Sequence, residues 1–550
     1  STWRLHHFQG AMAWICFEQN IVFKTHPMTN EKSSGLDRRD MLKALAGIPI
    51  LGALGIQVFR KNNYDIEHDI QEEIVRELGL EDLINVVRPI RHRQGDLIRL
   101  GIIGSGSRGT QLASALGFIE KSKFDKTVGN GSLDAQITEG NLNVAITGIC
   151  DVFDLHAEQG LAFAAHDIHT GGEFASGHPV KRFRHYHDML ADPNIDAIII
   201  STPDHHHAQM TIDAIQAGKH VYCEKSLIHR EEEIYATYEV VKNSDRVFQL
   251  GHQYPQTAAF QVAQEILRRK WLGKISHVET TTNRNSPNGA WIRHVDSEGN
   301  IKPGDAQSID WKQWLGKAQE VPFSIRRYYS WARYFDYDTI LYGQLFSHEF
   351  DAVNQLLNMG IPKTAASSGG QYTYKEFGDM PDVLNTVFEY PDKELTLTYS
   401  ANLTSSRARG RTIYGQDAAM TVGGNLSVVP DGSSKQFADL LERGLVSSDS
   451  PMMELLQGSN SASVVDAVSS ATAQYYATRG LTSTSIGGQS WDVTHLHLKE
   501  WLDCIRDGGT PTGNIEKAFE EGVIIAMADI SYRENCRCEW DPDARRIKKI

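Results

Sequence analysis

The sequence predicts an α/β protein with two unlike sheets: a doubly wound parallel sheet, followed by an open, mainly antiparallel sheet in a second α/β domain. Three observations support this fold class. A glycine-rich turn joins a short apolar strand to a helix within residues 99–110, and apolar strands then alternate with helices as far as Leu250. Beyond Gly251, apolar and polar residues alternate in several segments, which is typical of antiparallel strands.

The glycine-rich turn predicts a dinucleotide site. Gly104, Gly106 and Gly109 follow the apolar strand 100–103 in the G-x-G-x-x-G register, before a helix from Thr110. The first glycine permits the tight turn, the second lets a pyrophosphate approach the backbone, and the third lets the helix pack on the strand. The pyrophosphate would lie at the helix N-terminus, where unpaired N–H groups favour negative charge. Further cradle residues are Ser105, Ser107 and Arg108.

The segments around this turn predict a Rossmann domain that binds NAD(P) over residues 97–251. Strands are predicted at 100–103, 144–149, 183–186, 197–200, 221–223 and 247–250, with helices from Thr110, Phe153, Ala208 and Glu231. Asp151 ends the second strand, where a carboxylate accepts hydrogen bonds from the adenosine ribose and repels the extra phosphate of NADP, so NAD is favoured. Asp151 as a cap of the following helix is the alternative. Asp151 is farther from Gly104 in sequence than is usual, and we interpret residues 121–141 as an insertion that accounts for the extra length.

Two further strand ends carry polar residues, at the edge where open α/β sheets bind ligands. Thr202-Pro203-Asp204-His205-His206-His207 follows one strand and Cys223-Glu224-Lys225-Ser226 the next. Three consecutive histidines in a helix-opening turn point to different faces, so no metal site is predicted. A partly desolvated Lys225 beside a nicotinamide would orient a substrate hydroxyl and take part in proton movement.

Composition and the N-terminus narrow the class of protein. A net charge of −14 disfavours nucleic acid and anionic membrane surfaces as partners, and the six scattered cysteines predict neither a disulfide framework nor a metal site. Arg38-Arg39 precedes an apolar run at 44–58, so residues 1–58 resemble an upstream segment with a twin-arginine export signal. This predicts a periplasmic or membrane-tethered protein. A chance arginine pair before a hydrophobic helix is the alternative.

The remaining segments complete the predicted domain organisation. Residues 59–96 are a polar spacer with a helix at 70–84 on the surface of the first domain, and residues 252–550 form a substrate and oligomerisation domain. The Ser/Thr/Ala/Gly-rich segment 458–490 is a mobile loop or partly helical excursion, and both a substrate lid and an arm to another subunit stay open. Closing helices at 492–507 and 515–532 are predicted to pack back on the first domain.

The quoted motifs together resemble the Gfo/Idh/MocA oxidoreductase superfamily. The glycine turn 104–109, Asp151, the motifs 202–207 and 218–226, and Gly251 stand in the order and spacing of that family. The resemblance implies a C-terminal α/β domain whose open sheet faces the cofactor cleft, and assembly into a homo-oligomer, a dimer or tetramer.

The resemblance also implies catalytic residues. Lys225 matches the lysine of the family's Glu-Lys-Pro motif, with Ser226 in place of the proline. His348 falls on the catalytic histidine and Asp351 on the last acid of the D-x-x-x-H-x-x-D segment, although His348 in a polar helix terminus is the alternative. Gln344 replaces the first acid of that segment; a glutamine can form hydrogen bonds but carries no charge.

Lys225 and His348 are therefore the predicted catalytic residues, with NAD as cofactor and NADP less favoured. The predicted cofactor-binding residues are Gly104, Ser105, Gly106, Ser107, Arg108, Asp151, Thr202, Pro203, His205, Glu224 and Lys225. Aromatic faces combined with polar groups suit a carbohydrate. The predicted substrate-binding residues are Tyr254, Arg284, Trp291, Arg293, Trp331, Gln344 and Asp351.

Three functions follow as hypotheses. The first is an exported NAD(P)-dependent oxidoreductase acting on a secondary alcohol of a sugar, a sugar derivative or a cyclic polyol. The second is a glycoside hydrolase that uses tightly bound NAD in a transient oxidation, elimination and reduction. The third is a non-catalytic, nucleotide-containing carbohydrate-binding protein.

Overall fold

The computed structural model describes residues 56–57, 74–91, 95–128, 140–169, 179–285, 289–296, 298–376, 378–407, 409–456, 476 and 479–550. The predicted arginine pair and most of the predicted apolar run at 44–58 lie outside the described residues, as does much of the segment 458–490. Within the described ranges, no helix is long and apolar enough to cross a membrane.

The first domain contains a six-stranded sheet in which all neighbouring strands are parallel. From one edge to the other the strands are Lys181–Phe183, Val144–Cys150, Ile98–Ile103, Ala197–Ile200, His220–Cys223 and Phe248–Leu250. Numbered along the chain, this is the order 3-2-1-4-5-6 of doubly wound dinucleotide-binding sheets. Strands 2 and 3 are added on one side of strand 1, and strands 4 to 6 are added on the other side. This change of side between strands 1 and 4 opens a crevice at their carboxyl ends.

Helices cover both faces of this sheet. They are Ser107–Ala115, Lys121–Val128, Asp154–Ala164, Tyr186–Leu190, His207–Gln216 and Glu231–Lys242. One predicted boundary is corrected. The strand predicted at 183–186 ends at Phe183, and Tyr186 begins a helix that buries Met189 and Leu190. The predicted insertion 121–141 begins with the helix Lys121–Val128.

The second domain is built on an eleven-stranded sheet that is antiparallel except where Leu395–Asn402 pairs with Ile275–Asn283. Its strands in spatial order are Ile56–Gln57, Met453–Leu455, Leu426–Pro430, Ala418–Val422, Arg411–Gly415, Ile275–Asn283, Leu395–Asn402, Val383–Tyr390, Thr364–Gly370, Arg537–Asp541 and Arg546–Lys549. The predicted fold class, a Rossmann sheet plus a domain with a mainly antiparallel sheet, is therefore confirmed.

The helices of the second domain place residues at the crevice. Its α-helices are Ala258–Arg268, Trp311–Leu315, Ile325–Tyr329, Ser347–Leu357, Ala438–Glu442, Val493–Asp507 and Ile515–Glu534, and a π-helical turn, Tyr342–Phe346, leads into Ser347–Leu357. Val493–Asp507 packs on the first domain, where Leu498 and Trp501 join the apolar cluster that contains Leu100. A hairpin, Ser483–Ile486 with Gln489–Asp492, lies within the predicted loop segment.

One short strand in the N-terminal region was not predicted, and one prediction there is wrong. Ile56–Gln57, at the end of the predicted apolar run, forms an edge strand against Met453–Leu455. The predicted surface helix at 70–84 does not lie on the surface of the first domain, because its apolar residues Ile74, Leu78 and Leu83 are buried in the core that also contains Ala258–Arg268. The amphipathic pattern identified a buried face, but an amphipathic pattern carries no information about which domain receives it.

Candidate active site

A cavity of about 1390 Å³ lies at the carboxyl ends of the parallel strands, between the two domains. It is lined by these predicted site residues: Gly104, Gly106, Ser107, Arg108, Asp151, Thr202, Pro203, His205, Glu224, Lys225, Arg293, Trp331 and Gln344. Within the first domain the strand order brings together residues up to 121 positions apart in sequence, from Gly104 to Lys225, because parallel strands all end at the same edge. The second domain adds Arg293, Trp331 and Gln344.

Two positions of the glycine turn pack so closely against backbone oxygens that only glycine fits, and this packing sets the turn beside the cavity. Gly104 has a φ of +88°, and a Cβ there would lie 2.8 Å from the carbonyl oxygen of Ser201. A Cβ on Gly109 would lie 2.2 Å from the carbonyl oxygen of Gly104, so only glycine lets the helix Ser107–Ala115 pack this closely on the turn. The helix N-terminus faces the cavity through Ser107, which fits a bound phosphate.

Asp151 has two structural bonds in addition to its place in the lining. Its Oδ2 accepts a hydrogen bond from the backbone N–H of Ser105 at 2.8 Å, and its Oδ1 accepts one from the backbone N–H of Phe153 at 2.9 Å. Burial raises the pKa of Asp151, while His156 and the two N–H donors oppose the rise. Asp151 thus joins the glycine turn to the next helix, and because a carboxylate oxygen can accept more than one hydrogen bond, it keeps acceptor capacity for a ribose.

Arg108 and Glu224 form an ion pair across the crevice. Arg108 Nε lies 2.8 Å from Glu224 Oε1, and the hydroxyl of Tyr222 lies 3.4 Å from the same oxygen. The pair links the glycine turn to the strand His220–Cys223. A dinucleotide therefore fits this part of the cavity, which offers the glycine turn, the helix N-terminus, Asp151 and the Arg108–Glu224 pair.

The three consecutive histidines are held by backbone carbonyl groups. His205 Nε2 and His206 Nε2 lie 2.9 and 2.7 Å from the carbonyl oxygen of Trp314. The ring nitrogens of His207 lie 2.7 Å and 2.8 Å from the carbonyl oxygens of Ser226 and Thr202. The described residues contain no group of three or more His, Cys, Asp or Glu side chains placed to hold a metal.

Lys225 lies at the centre of a polar cluster on the cavity wall. Its Nζ donates to the carbonyl oxygens of Gly343 and Gln344 at 3.3 and 3.2 Å and to Gln344 Oε1 at 3.3 Å. Gln344 Nε2 lies 3.0 Å from Asp204 Oδ2 and 3.1 Å from Asp338 Oδ1. Gln344 thus separates a lysine from two carboxyl groups.

His348 lies behind the lining, 4% exposed, in a buried row of ionisable groups. Its Nδ1 is 3.3 Å from Nδ1 of His252, whose Nε2 is 2.7 Å from Glu521 Oε2. Burial lowers the pKa of His348 well below its usual value, and the charge of His252 adds to this effect. Burial also opposes charge on His252, but Glu521 and Asp351 outweigh it and raise the pKa of His252. Positive charge in this row therefore rests on His252.

Six predicted site residues are not in the cavity lining. Each is buried beneath it: Ser105, Tyr254, Arg284, Trp291, His348 and Asp351. Arg411 stacks over the ring of Tyr254 at 4.8 Å, and Arg284 stacks over Trp291 at 4.7 Å, so these aromatic faces are covered by arginines. Tyr476 lines the cavity and meets the ring of His348 edge-on at 5.7 Å.

The sequence prediction missed several residues of this region. Asp204 lines the cavity, and its place in the motif 202–207 at the end of a parallel strand could have identified it as a site residue. His252 follows Gly251 directly, but Asp338 and Glu521 carry no local signal, because only tertiary packing brings them to the crevice.

Comparison with known proteins agrees with this geometry. A family model described as "Oxidoreductase family, NAD-binding Rossmann fold" matches residues 98–252. The first domain is therefore an NAD-binding Rossmann domain of the oxidoreductase type. This match of residues 98–252 to the Gfo/Idh/MocA family model agrees with the resemblance seen in the sequence.

Two curated relatives align with part of the chain. Levoglucosan dehydrogenase of Pseudarthrobacter phenanthrenivorans is 29% identical over 187 residues, which are 34% of this chain and 41% of that protein. The scyllo-inositol 2-dehydrogenase (NAD(+)) of Bacillus subtilis is 33% identical over 109 residues, 20% of this chain and 32% of that protein. The chain thus spans less than half the length of these two curated relatives.

Solved structures resemble the whole fold. Levoglucosan dehydrogenase in complex with NADH and levoglucosan has a TM-score of 0.51 over 80% of this chain and 99% of that chain, at 16% identity. An NAD binding oxidoreductase from Klebsiella pneumoniae has a TM-score of 0.52 over 80% and 98%, also at 16% identity. At this level of identity the likeness shows the shared fold alone.

Proposed function

We propose that this chain is an NAD-dependent dehydrogenase that oxidises a secondary alcohol of a sugar, a sugar derivative or a cyclic polyol. The observation that carries the proposal is Lys225, which lies in the wall of the cavity that the glycine turn opens into, with Gln344 at its ammonium group. Two relatives of part of this chain are named for levoglucosan and scyllo-inositol, which supports a polyhydroxylated ring as substrate.

In this reaction the carbinol C–H and O–H bonds break and a C=O bond forms. NAD supplies the hydride acceptor when it is bound. Lys225 takes the hydroxyl proton on its amine in the oxidation direction and returns it from the ammonium form in the reduction direction. The carbonyl oxygens of Gly343 and Gln344 fix the position of Nζ, so the proton acceptor is held in place before substrate arrives.

A second candidate, glycoside cleavage by a closed redox cycle, is favoured by one observation. Gln344 stands where the resemblance implies an acid, so the proton chemistry at this position differs from that of the family's dehydrogenases. In such a cycle the nucleotide returns to its starting state within each turnover, and no net NADH is released.

We also propose that the protein is exported by the twin-arginine route and assembles as a dimer or tetramer. Arg38 and Arg39 before the apolar run support export, and the family resemblance supports assembly. A fusion of residues 28–60 to a reporter that is active only when exported folded, with Arg38→Lys and Arg39→Lys together as the blocked control, tests the route.

The enzymatic proposal is tested on protein purified without added nucleotide. The protein is denatured, the released nucleotide is identified by absorbance and mass, and a panel of free sugars, polyols and glycosides is assayed with and without added NAD. We expect NADH formation that requires added NAD and a free sugar or polyol. Turnover of a glycoside without added NAD, by protein that releases stoichiometric NAD on denaturation, would replace this proposal with the closed cycle.

Lys225→Met separates catalysis from folding in this assay. We expect kcat to fall by about 100-fold or more, with NAD binding retained, because general acid–base groups contribute about 10²- to 10⁴-fold. Lys317→Met is the control, since Lys317 lies at the cavity rim and contacts Gln209 rather than the Lys225 cluster. Full activity of Lys225→Met would exclude Lys225 as the proton acceptor.

A further inference from the structure

Asp204 and Asp338 meet at one amide group next to Lys225. Gln344 Nε2 is 3.0 Å from Asp204 Oδ2 and 3.1 Å from Asp338 Oδ1, so the two hydrogens of one amide serve two carboxyl groups. Asp204 is 1% and Asp338 is 0% exposed. Two buried carboxylates at this separation repel each other strongly, and the repulsion is relieved when one of them holds a proton.

The surroundings of the two carboxyl groups differ. Asp204 Oδ2 also lies 3.2 Å from Ser226 Oγ. Burial raises the pKa of Asp204, and the charges of His207 and Lys225 together with the bonds from Asp338 and Ser226 oppose this rise. Asp338 has Gln344 as its neighbouring donor, and its Oδ2 accepts no hydrogen bond from any residue that the structure describes. Burial and the neighbouring Asp204 hold the pKa of Asp338 well above its usual range.

We propose that Asp338 carries a proton at neutral pH and that Asp204 carries the negative charge which balances the ammonium form of Lys225. This inference rests on the proposed dehydrogenase function, because the charge matters once Lys225 has taken a proton from substrate. Asp204 then supplies the negative charge that the resemblance places at position 344, where this chain has a glutamine. Asp338 is a positioning residue that donates its proton to Asp204.

The arrangement also explains why residue 344 is a glutamine. Its Oε1 faces the Lys225 ammonium and its Nε2 faces both carboxyl groups, so each end of the amide meets a group of complementary charge. An aspartate at 344 would bring a third carboxyl group to Asp204 and Asp338. The glutamine and the acid pair therefore form one unit.

Infrared spectroscopy tests the protonation state without substrate. In the difference spectrum between the wild-type protein and Asp338→Asn at neutral pH, we expect the C=O band of a protonated carboxylic acid, which shifts in D₂O. Asp338→Ser repeats the comparison if the first variant does not fold. Asp543→Asn, an exposed change of the same kind, is the control and should show no acid band. A carboxylate band in place of the acid band for Asp338 would overturn the proposal.

Kinetics test the unequal roles. Asp204→Asn should lower kcat/KM by about 100-fold, the size of effect seen when one preorganised electrostatic partner is removed. Asp338→Asn should lower it by less than about threefold, because the amide donates to Asp204 as the acid did. In Asp204→Asn, the added change Gln344→Asp should restore part of the lost activity, while Gln344→Asp alone should be harmful. Equal losses in both single variants would refute the assignment.

The two proposals fail in different ways. If no sugar or polyol is oxidised while the infrared acid band is present, the dehydrogenase function is wrong and the protonated pair stands. If substrate is oxidised while the band is absent, the function stands and the pair is wrong.

Discussion

At the scale of single residues, the Asp151 carboxylate both holds the glycine turn and lines the cavity. Its two oxygens accept hydrogen bonds from the N–H groups of Ser105 and Phe153, and the residue also lines the cavity. The helix Asp154–Ala164 begins after Phe153 and has no side-chain cap, so Asp151 holds the residue before the helix rather than capping its first turn.

Asp151→Asn should weaken both properties. One carboxylate oxygen becomes an NH₂ group that meets an N–H donor, and an unpaired buried group costs about 1–3 kcal/mol of unfolding free energy. We expect a lower unfolding midpoint and weaker NAD binding, measured by denaturant titration and calorimetry. Asp188→Asn, an exposed change in the same domain, is the control. An unaltered midpoint would mean that these two bonds add no stability.

The buried row Glu521, His252 and His348 gives a second prediction at this scale. His348 Nδ1 lies 3.3 Å from His252 Nδ1, so the charge state of His252 acts directly on His348. Glu521→Gln removes the charge that favours protonated His252, and protonated His252 suppresses charge on His348. We expect a kcat that is about tenfold lower, as for other partners that orient a functional histidine, and a shifted pH profile.

The pH profile distinguishes this role from a purely structural one. A packing defect would lower activity equally at all pH values, whereas loss of the Glu521 charge moves the pH at which activity falls. Glu534→Gln at the end of the same helix is the matched control. The idea fails if the profile of Glu521→Gln keeps the wild-type shape.

At the scale of elements, the turn from the strand Ile98–Ile103 into the helix Ser107–Ala115 depends on two glycines for different reasons. Gly109→Ala places a Cβ 2.2 Å from a backbone oxygen, so the helix must move away from the turn. On Gly106 the nearest atoms to a Cβ are those of His156, at 3.6 Å, so the fold itself has room.

We therefore expect the two alanine variants to separate stability from binding. Gly109→Ala should lower the unfolding free energy by about 1–3 kcal/mol, the usual cost of overpacking. Gly106→Ala should keep the wild-type midpoint and bind NAD more weakly, because the Cβ stands where the pyrophosphate approaches. Thermal unfolding without nucleotide and NAD titration measure both effects. Equal destabilisation by both variants would contradict this division.

At the scale of the whole molecule, buried histidines make stability depend on pH. Burial lowers the pKa of His206, His220 and His229 from 6.5 to about 4. His220 Nδ1 accepts a hydrogen bond from the backbone N–H of Val247 at 2.9 Å, so its folded environment requires the neutral ring. The unfolded chain takes up these protons at a higher pH than the folded chain does.

Stability from these histidines is therefore fully present above about pH 6.5 and is lost as the pH falls towards about 4. We expect the unfolding midpoint to decrease over this window. His220→Asn keeps an acceptor for the N–H of Val247 and does not titrate, so its midpoint should fall less steeply with acid. Denaturant unfolding at several pH values measures the slopes. Identical slopes for both proteins would rule out His220 as a contributor.

The first domain and its nucleotide turn could be predicted from the sequence, because strand and helix periodicity and the G-x-G-x-x-G register are local properties of the chain. The sequence also identified Lys225, since a residue that ends a parallel strand lies at the ligand edge whatever else surrounds it. It did not determine where the apolar face at 74–83 packs, nor that Ile56–Gln57 joins the second sheet. An apolar pattern says that a face is buried but not against what.

Which ionisable groups meet around the crevice could not be predicted from the sequence, because their contacts arise only when the chain folds. Asp338 and Glu521 reach it from the second domain, and their charge states depend on burial and on the groups they meet there. In the sequence, Gln344 is simply a glutamine at a position where the resemblance implies an acid. In the folded chain its amide joins Lys225 to Asp204 and Asp338, since hydrogen bonds depend on distances that folding alone creates.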